Sequence, residues 1–363
     1  MDYSKKTRVE LIELCKKNNI KKYSGKKKDE LIDLLEQLDK LDASDTSDSS
    51  DTSDSSDTLD KITMPIIELQ SDIINDDCLK ILPTLKDNSA QIIIADPPYN
   101  IGKNFGNNSD KQTMERYLKW SDVWIDECLR ILKPNGTMFI YGFSENLALI
   151  LSKIPYNINR RWIIWHYTNK NSASLNFWQR SHESILVLWK NDKVFNRDSI
   201  REPYTDGFLN GAAGKKRAST KGRFSSGKKT TTYVAHPNGA LPRDVIKIPA
   251  LAGGAGVKER VDHPTQKPLA LCEKLILSCK QSETDGYVLI PFAGSGSECV
   301  ACKKIGLPFI GIELNNDYVK LIKDRLNAYN SENSENTHNS ENTHNSENSD
   351  NSDHTHNSEF TLN

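Results

Sequence analysis

The sequence predicts a doubly wound α/β sheet that carries a small all-α module at its N-terminus. Three observations predict it. Strand-like and helix-like stretches alternate over about residues 62–328, the pattern of a sheet covered by helices on both faces. Two of the strand-like stretches end in a carboxylate, Asp96 and Glu313, and ligands in such sheets sit at the carboxyl ends of the strands. Ahead of that zone, two short amphipathic segments flank a lysine-rich turn.

Residues 1–41 contain those two segments. Leu11, Ile12 and Cys15 fall at helical spacing in the first, and Leu31, Ile32, Leu34, Leu35 and Leu38 in the second. Between them lies KKYSGKKK, a turn around Gly25 with Lys26, Lys27 and Lys28 clustered after it. Residues 42–61 include the acidic repeat ASDTSDSSDTSDSSDT, which has too few apolar side chains to offset ordering entropy and reads as a disordered linker. Next come strand-like stretches at DIIND, QIIIAD, GTMFIYG, RRWIIWHY, ESILVLW, GYVLIPF and PFIGIEL. KQTMERYLKWSDVWIDECLRILK reads as a long amphipathic helix that stops before Pro134-Asn135-Gly136, and ALCEKLILSCK and SECVACKKIG as two more. The tail, 329–363, repeats SEN and THN units and reads as disordered. Its four histidines have no fixed ligand spacing, so no metal is expected there.

Whole-chain properties exclude more than they identify. The formal net charge of -1 names no partner, because the charges are segregated along the chain. Seven cysteines and an N-terminus, MDYSKKTRVE, without an apolar core suit reduced thiols in an intracellular protein. No apolar run is long enough to span a bilayer, so no membrane partner is expected. Cys299 and Cys302 form a Cys-x-x-Cys on a helix with no second pair, which suits core cysteines better than a metal site.

The stretch IIIADPPYN, 92–100, is a buried-looking strand stopped by prolines, with a carboxylate at its tip. By itself it is a capped turn at a strand end. A second strand–turn–helix, YVLIPFAGSGSECVACKKIG, places Gly294, Ser295 and Gly296 where backbone can approach a ligand closely, with a helix N-terminus behind. Glu313 follows 17 residues after Gly296 at the tip of PFIGIEL, where a carboxylate can accept both ribose hydroxyls of an adenosine. No Gly-Lys-Ser/Thr follows the glycines, so this is not a P-loop, and the third glycine of the dinucleotide fingerprint is missing.

Four elements then line up: NDDCLK (75–80), DPPYNIG (96–102), HPTQKPLALCEKLI (263–276) and PFAGSGS…FIGIEL (291–314). Together they resemble the S-adenosylmethionine-dependent amino-methyltransferases of DNA, in the β-class motif order with the Asp-Pro-Pro-Tyr motif ahead of the glycine loop. The resemblance covers about 70–325 and implies a Rossmann-like methyltransferase domain at 62–328, with a target-recognition region at about 196–260. It implies a catalytic set of Asp96, Pro97, Pro98 and Tyr99. Asp96 and the Pro97 carbonyl would accept the two amine hydrogens of a flipped base, the prolines would hold these acceptors still, and Tyr99 would stack on the ring. It implies S-adenosyl-L-methionine as cofactor. Asp77 would meet the adenine, Glu313 the ribose, and Thr265, Gln266 and Lys267 the methionine carboxylate. Gly294 and Gly296 would pass the cofactor's methionine portion, and Phe292 and Ser295 would complete the cofactor site. No metal is required. Two departures stand out: Ile290, where many members have Asp, and Asp76, where glycine is usual. An Asp in the first motif position goes with N6 of adenine more often than with N4 of cytosine.

The N-terminal segment, RVELIELCKKNNIKKYSGKKKDELIDLLEQL, resembles the SAP motif, a helix–turn–helix DNA-binding module. GKKRASTKGRFSSGKK (214–229) carries Lys215, Lys216, Arg217, Lys221, Arg223, Lys228 and Lys229 without an acid. With Gly and Ser interleaved it reads as a flexible loop, and its place in the family's recognition region suggests phosphate contact. The sequence therefore points to a site-specific adenine-N6 methyltransferase acting on double-stranded DNA. N4-cytosine methylation is the alternative, and a DNA-binding protein with a dead active site the reading from another class. A second copy of the chain and a cognate restriction endonuclease are further partners the family suggests.

Overall fold

The structure is a computed structural model that describes residues 71–105, 110–169, 176–223, 225–254 and 256–344, with backbone alone over 332–344, together with Lys28, Leu31 and Ile32. The chain divides into two units, Met1–Ile66 and Ile67–Asn363. In the first unit Lys28, Leu31 and Ile32 are helical, with Lys28 exposed and Leu31 buried. The remainder of the SAP-like segment, including Lys26 and Lys27, the acidic linker and residues 345–363 lie outside the described residues.

Within the second unit the strands are β1 (Asp72–Asn75), β2 (Ala90–Ala95), β3 (Leu132–Gly142), β4 (Asn159–His166), β5 (His182–Trp189), β6 (Lys216–Ala218), β7 (Thr230–Thr232), β8 (Val245–Lys247), β9 (Tyr287–Ile290) and β10 (Phe309–Glu313). The helices are α1 (Cys78–Ile81), α2 (Met114–Ile131), α3 (Ser144–Leu151), α4 (Asp206–Gly211), α5 (Leu269–Cys279), α6 (Ser297–Ile305) and α7 (Asn316–His344). Eight strands form one sheet in the order β1-β10-β9-β2-β3-β5-β4-β8. From β1 to β3 neighbours are parallel, whereas β5 runs antiparallel to both β3 and β4. The doubly wound α/β sheet read from the sequence is thus a mixed one, because β4 and β5 pair directly as antiparallel neighbours instead of through a helical crossover.

The order reverses between β9 and β2: the chain moves outward to β10 from one and to β3 from the other. Such a switch point opens a crevice at the carboxyl ends of the two strands. Those ends carry Asp96 and the loop that starts at Pro291.

β2 explains why IIIA is an unbroken apolar run. Ile92 and Ile94 pack into one core cluster with α5 and α6, and Ile93 and Ala95 into another with α2 and α3. Both faces are covered, so no position alternates to polar. Truncating Ile94 to Ala would cost about 2–5 kcal/mol.

α2 starts at a Thr113 cap that accepts from the Arg116 N–H, and it buries Tyr117, Ser121, Trp124 and Cys128 along one face. It ends at Ile131, and Pro134-Asn135-Gly136 falls inside β3. The β2–β3 register jumps between the Ala90–Leu132 and Ile92–Thr137 pairs, so the Pro-Asn-Gly is a bulge in the ladder. Cys299 and Cys302 are fully buried in the core, in keeping with the sequence reading.

Two further expectations change. Within the GKKRASTKGRFSSGKK stretch β6 pairs antiparallel with β7, which follows directly after it, so the stretch is not a loop throughout. α7 runs to His344, past the point near 329 where the ordered part was expected to stop. No Pro or Gly interrupts 316–344, and once a helix has nucleated each added residue gains a bond. Among the described residues no helix is long and apolar enough to cross a membrane.

Candidate active site

The crevice at the switch point is a cleft of ≈ 250 Å³. It is lined by Asp77, Asp96, Pro97, Pro98, Tyr99, Thr265, Lys267, Phe292, Gly294, Ser295 and Glu313 among others, so it brings together nearly every candidate read from the sequence. A larger cleft of ≈ 1070 Å³ flanks β4, β5 and β8, but it holds none of the catalytic or cofactor candidates.

Asp96 stands immediately after β2. Its carboxylate receives the Lys267 ammonium at 2.9 Å and 2.8 Å, on its two oxygens. Glu183, near the start of β5, lies 3.5 Å from the same ammonium. The Tyr99 hydroxyl sits 2.8 Å from Asp96 Oδ1 and 3.0 Å from Glu183 Oε2, donating to one of them at a time. Two carboxylates therefore share one ammonium and one hydroxyl. Burial works against the charged Lys267, which is 3 % exposed, but the charges of Asp96 and Glu183 outweigh it and hold the ammonium above its usual range. Burial, then the Asp96 and Glu183 charges, keep the Tyr99 phenol protonated.

The loop after Asp96 is held by its own residues. Asn100 takes a positive φ of 58°, which Asn tolerates better than most side chains, and its side chain accepts from the Gln112 N–H at 2.7 Å. The Asp110 carboxylate gathers the N–H groups of Ile101, Gly102 and Lys103 at 3.2, 2.6 and 2.8 Å. The Tyr99 ring packs edge-on to Phe143 at 5.2 Å, and its carbonyl accepts from Asn146 at 2.6 Å.

On the other wall, Glu313 ends β10 with both oxygens held by backbone: Gly294 N–H at 2.8 Å on one and Asn315 N–H at 2.8 Å on the other. Burial raises its carboxyl, and those N–H groups pull it back. Each oxygen keeps a lone pair for a ligand hydroxyl. At Gly294 an added Cβ would stand 3.1 Å from His263 Nε2, so the backbone there approaches as close as glycine allows. Burial, with the Lys267 and Arg325 charges, brings His263 down to about 4, so the ring is neutral at pH 7. Asp77 lines the cleft, with one carboxylate oxygen accepting from the Leu79 N–H at 2.9 Å as the α1 cap.

Three residues sit differently from the sequence expectation. Lys267 is committed to Asp96, because the segment ahead of α5 delivers its ammonium to the tip of β2. Gln266 turns away from the cleft: its side chain binds the Val261 N–H at 2.9 Å and the Glu259 carbonyl at 3.0 Å. Gly296 caps α6 with φ 75°, and an added Cβ would press on Ile322 at 2.8 Å, so its demand is a core contact behind the loop. Sequence reasoning missed Glu183, His263, Glu298, Phe105, Trp120 and Tyr318, of which all but Glu183 line the cleft. Glu298 follows the glycine loop at a helix start, where an acid reads as a complement to the helix dipole, so nothing singled it out. The basic candidates Lys215, Lys216, Arg217, Lys221, Arg223, Lys228 and Lys229 are all exposed on the β6–β7 hairpin and its turn. No cluster of three or more metal-ligating side chains occurs among the described residues.

These features define a class: an α/β protein with a ligand cleft at the switch point of a mixed sheet, built from a carboxylate–ammonium cluster on one wall and a glycine loop with a strand-end carboxylate on the other. The chain belongs to the DNA methylase family, whose N6/N4 model matches residues 90–324. It is 33 % identical over 261 residues to the type II methyltransferase M.HpaI of Haemophilus parainfluenzae, covering 70 % of this chain and 74 % of that one. It is 32 % identical over 267 residues to the DNA adenine methyltransferase YhdJ of Escherichia coli, covering 72 % and 85 %. Among solved structures, the cytosine-N4-specific PvuII DNA methyltransferase superposes with a TM-score of 0.51 at 13 % identity, over 70 % of this chain and 86 % of that one, a likeness of fold alone.

Proposed function

We propose that this DNA methyltransferase transfers a methyl group from S-adenosyl-L-methionine to the N6 amine of adenine within a specific DNA sequence. The observation that carries the reading is the placement of Asp96 in one cleft with the Glu313–Gly294 cradle, so that a base amine and a nucleoside cofactor meet there. The cleft suits that cofactor: Glu313 offers lone pairs to a ribose, the glycine backbone leaves room for a chain, and Asp77 stands at the rim. When bound, S-adenosylmethionine supplies an electrophilic methyl group on a sulfonium.

The chain's own residues do the rest. An exocyclic base amine is a poor nucleophile hidden by pairing, so the base is flipped out at about a few kcal/mol. Asp96 and the Pro97 carbonyl accept the amine hydrogens, and Asp96 takes the proton that the amine gives up. Lys267 and Tyr99, both shared with Glu183, hold that carboxylate in one orientation, so little reorganisation accompanies transfer. Tyr99 presents its ring to the base. The exposed lysines and arginines of the β6–β7 hairpin, and Lys26, Lys27 and Lys28 of the SAP-like segment, meet phosphates without reading sequence.

Support for adenine comes from Asp at the first motif position and from the likeness to a protein named as an adenine methyltransferase. The second reading is N4-cytosine methylation, since the family model that matches the chain covers both N6 and N4 amines. Sequencing DNA from cells that express the protein, with readout of modified adenine and cytosine, decides between them and reports the site. N4-methylcytosine alone overturns the adenine reading. Asp96→Ala should abolish methylation and leave DNA affinity largely in place, and surviving activity refutes the role given to Asp96.

A further inference from the structure

The cleft is acidic in a way the transfer reaction does not use. Its lining includes the carboxylates Asp76, Asp77, Asp96, Glu298 and Glu313, against Lys267 as the one lysine or arginine among the described residues. That lysine is spent on Asp96 and Glu183. Asp76 is paired outward with Lys80 at 2.9 Å, and Glu313 is held by two backbone N–H groups. Glu298 is different. It sits in the first turn of α6, is 4 % exposed, and lines the cleft, and its side-chain donor is the Cys272 thiol at 3.4 Å, a weak partner for a carboxylate. Ile290, ahead of the same loop, is buried in the apolar core and offers the cleft no polar side chain.

A buried carboxylate without a cation is costly, and it either holds a proton or finds a partner. Around Glu298 stand Asp96 from β2, Lys267 and the Cys272 thiol from the α5 region, Tyr141 from β3, Cys299 and Cys302 on α6 and Arg325 from α7. Burial first, then the Asp96 charge, push the Glu298 carboxyl up to about 7. Arg325 is turned to the Ser295 carbonyl and the Ser297 hydroxyl, and forms no ion pair with Glu298.

We propose that Glu298 is the counter-ion of the cofactor's positively charged methionine tail, and that cofactor uptake drives the proton off Glu298. The proposal rests on reading the cleft as the S-adenosylmethionine site. It makes the cleft a selector of charge as well as shape. S-adenosylmethionine carries a sulfonium and an ammonium, whereas its demethylated product S-adenosylhomocysteine keeps only the ammonium. The proton leaves to solvent, and the ligand's positive charge replaces it.

Calorimetric titration of the full chain with each ligand, in two buffers of different ionisation heat, tests this. Wild type should release close to one proton on binding S-adenosylmethionine near pH 6 and almost none near pH 8.5, with affinity rising roughly tenfold between them. Glu298→Gln should lose that release and bind S-adenosylmethionine roughly tenfold more weakly. If product affinity is kept in the variant, Glu298 pairs with the sulfonium; if it falls equally, with the ammonium; both support the pairing. Unchanged affinity and unchanged proton release in the variant overturn it. So does the absence of proton release by wild type near pH 6, a result that needs no variant. Wild type that binds neither ligand at any pH overturns the cofactor reading itself, and the proposal with it.

Discussion

Replacing Lys267 with methionine removes the ammonium that lies 2.8 Å and 2.9 Å from Asp96 and 3.5 Å from Glu183. The side chain is 3 % exposed, and its two partners 17 % and 18 %. Removing one member of a buried pair costs about 3–5 kcal/mol, because the other charges stay behind unpaired. The partial exposure of Asp96 and Glu183 lets water reach them, so the lower end, about 3 kcal/mol, is expected. For a domain of this size that corresponds to a fall in Tm of roughly 6–12 °C. Thermal unfolding followed by circular dichroism measures it. The sharper assay is a double-mutant cycle with Asp96→Asn. With Asp96 neutral, losing Lys267 should cost less, giving a coupling of about 1–3 kcal/mol. Losses that add to within about 0.5 kcal/mol would refute the pair, and would return Lys267 to the methionine-carboxylate role read from the sequence.

Glu298→Gln should also change how stability varies with pH. In the folded chain the carboxyl titrates at about 7, above its ordinary 4.5, so the native state holds a proton that the unfolded state has lost. Wild-type stability therefore drains away as pH rises from about 4.5 to 7, by up to about 3 kcal/mol. The variant should be flatter over that window and gain on wild type at pH 8 in urea unfolding; parallel profiles would contradict the burial argument. Gly296→Ala combines a φ of 75° with a Cβ placed 2.8 Å from Ile322, and should lose about 1–3 kcal/mol, as read from urea midpoints. Replacing Lys215, Lys216 and Arg217 together with Ala should lower the slope of log affinity against log salt by roughly 1–3 without shifting base preference; an unchanged slope removes the hairpin from the DNA surface. Deleting residues 1–60 should weaken binding to long DNA and leave turnover on short oligonucleotides nearly intact, and equal losses on both would refute a separate DNA-binding role for that segment.

Much of the site was legible because its parts are local. Asp96 is readable as a strand tip from the apolar run before it and the prolines after it. Gly294 and Glu313 are readable from the order strand, loop, helix, strand. Gln266 was misread for the converse reason: its neighbours Thr265 and Lys267 line the cleft, but its own side chain is taken by Glu259 and Val261. β5 illustrates a different limit. ESILVLW is plainly a strand, but its direction against β3 follows from pairing across the sheet, which hydrophobic periodicity does not encode.

By itself the sequence pointed to most strands and helices of the sheet, and to Asp96, Glu313 and the glycines at strand ends, since these follow from spacing along the chain. Only the tertiary structure decided what those groups do to one another. Lys267 stands 171 positions from Asp96 and Glu183 84 positions from Tyr99, yet both meet at the end of β2. Glu298 becomes a buried carboxylate awaiting a cation only once α5, α6 and β2 close around it. Charge and desolvation depend on distance in space, and distance in space is what the packed sheet supplies.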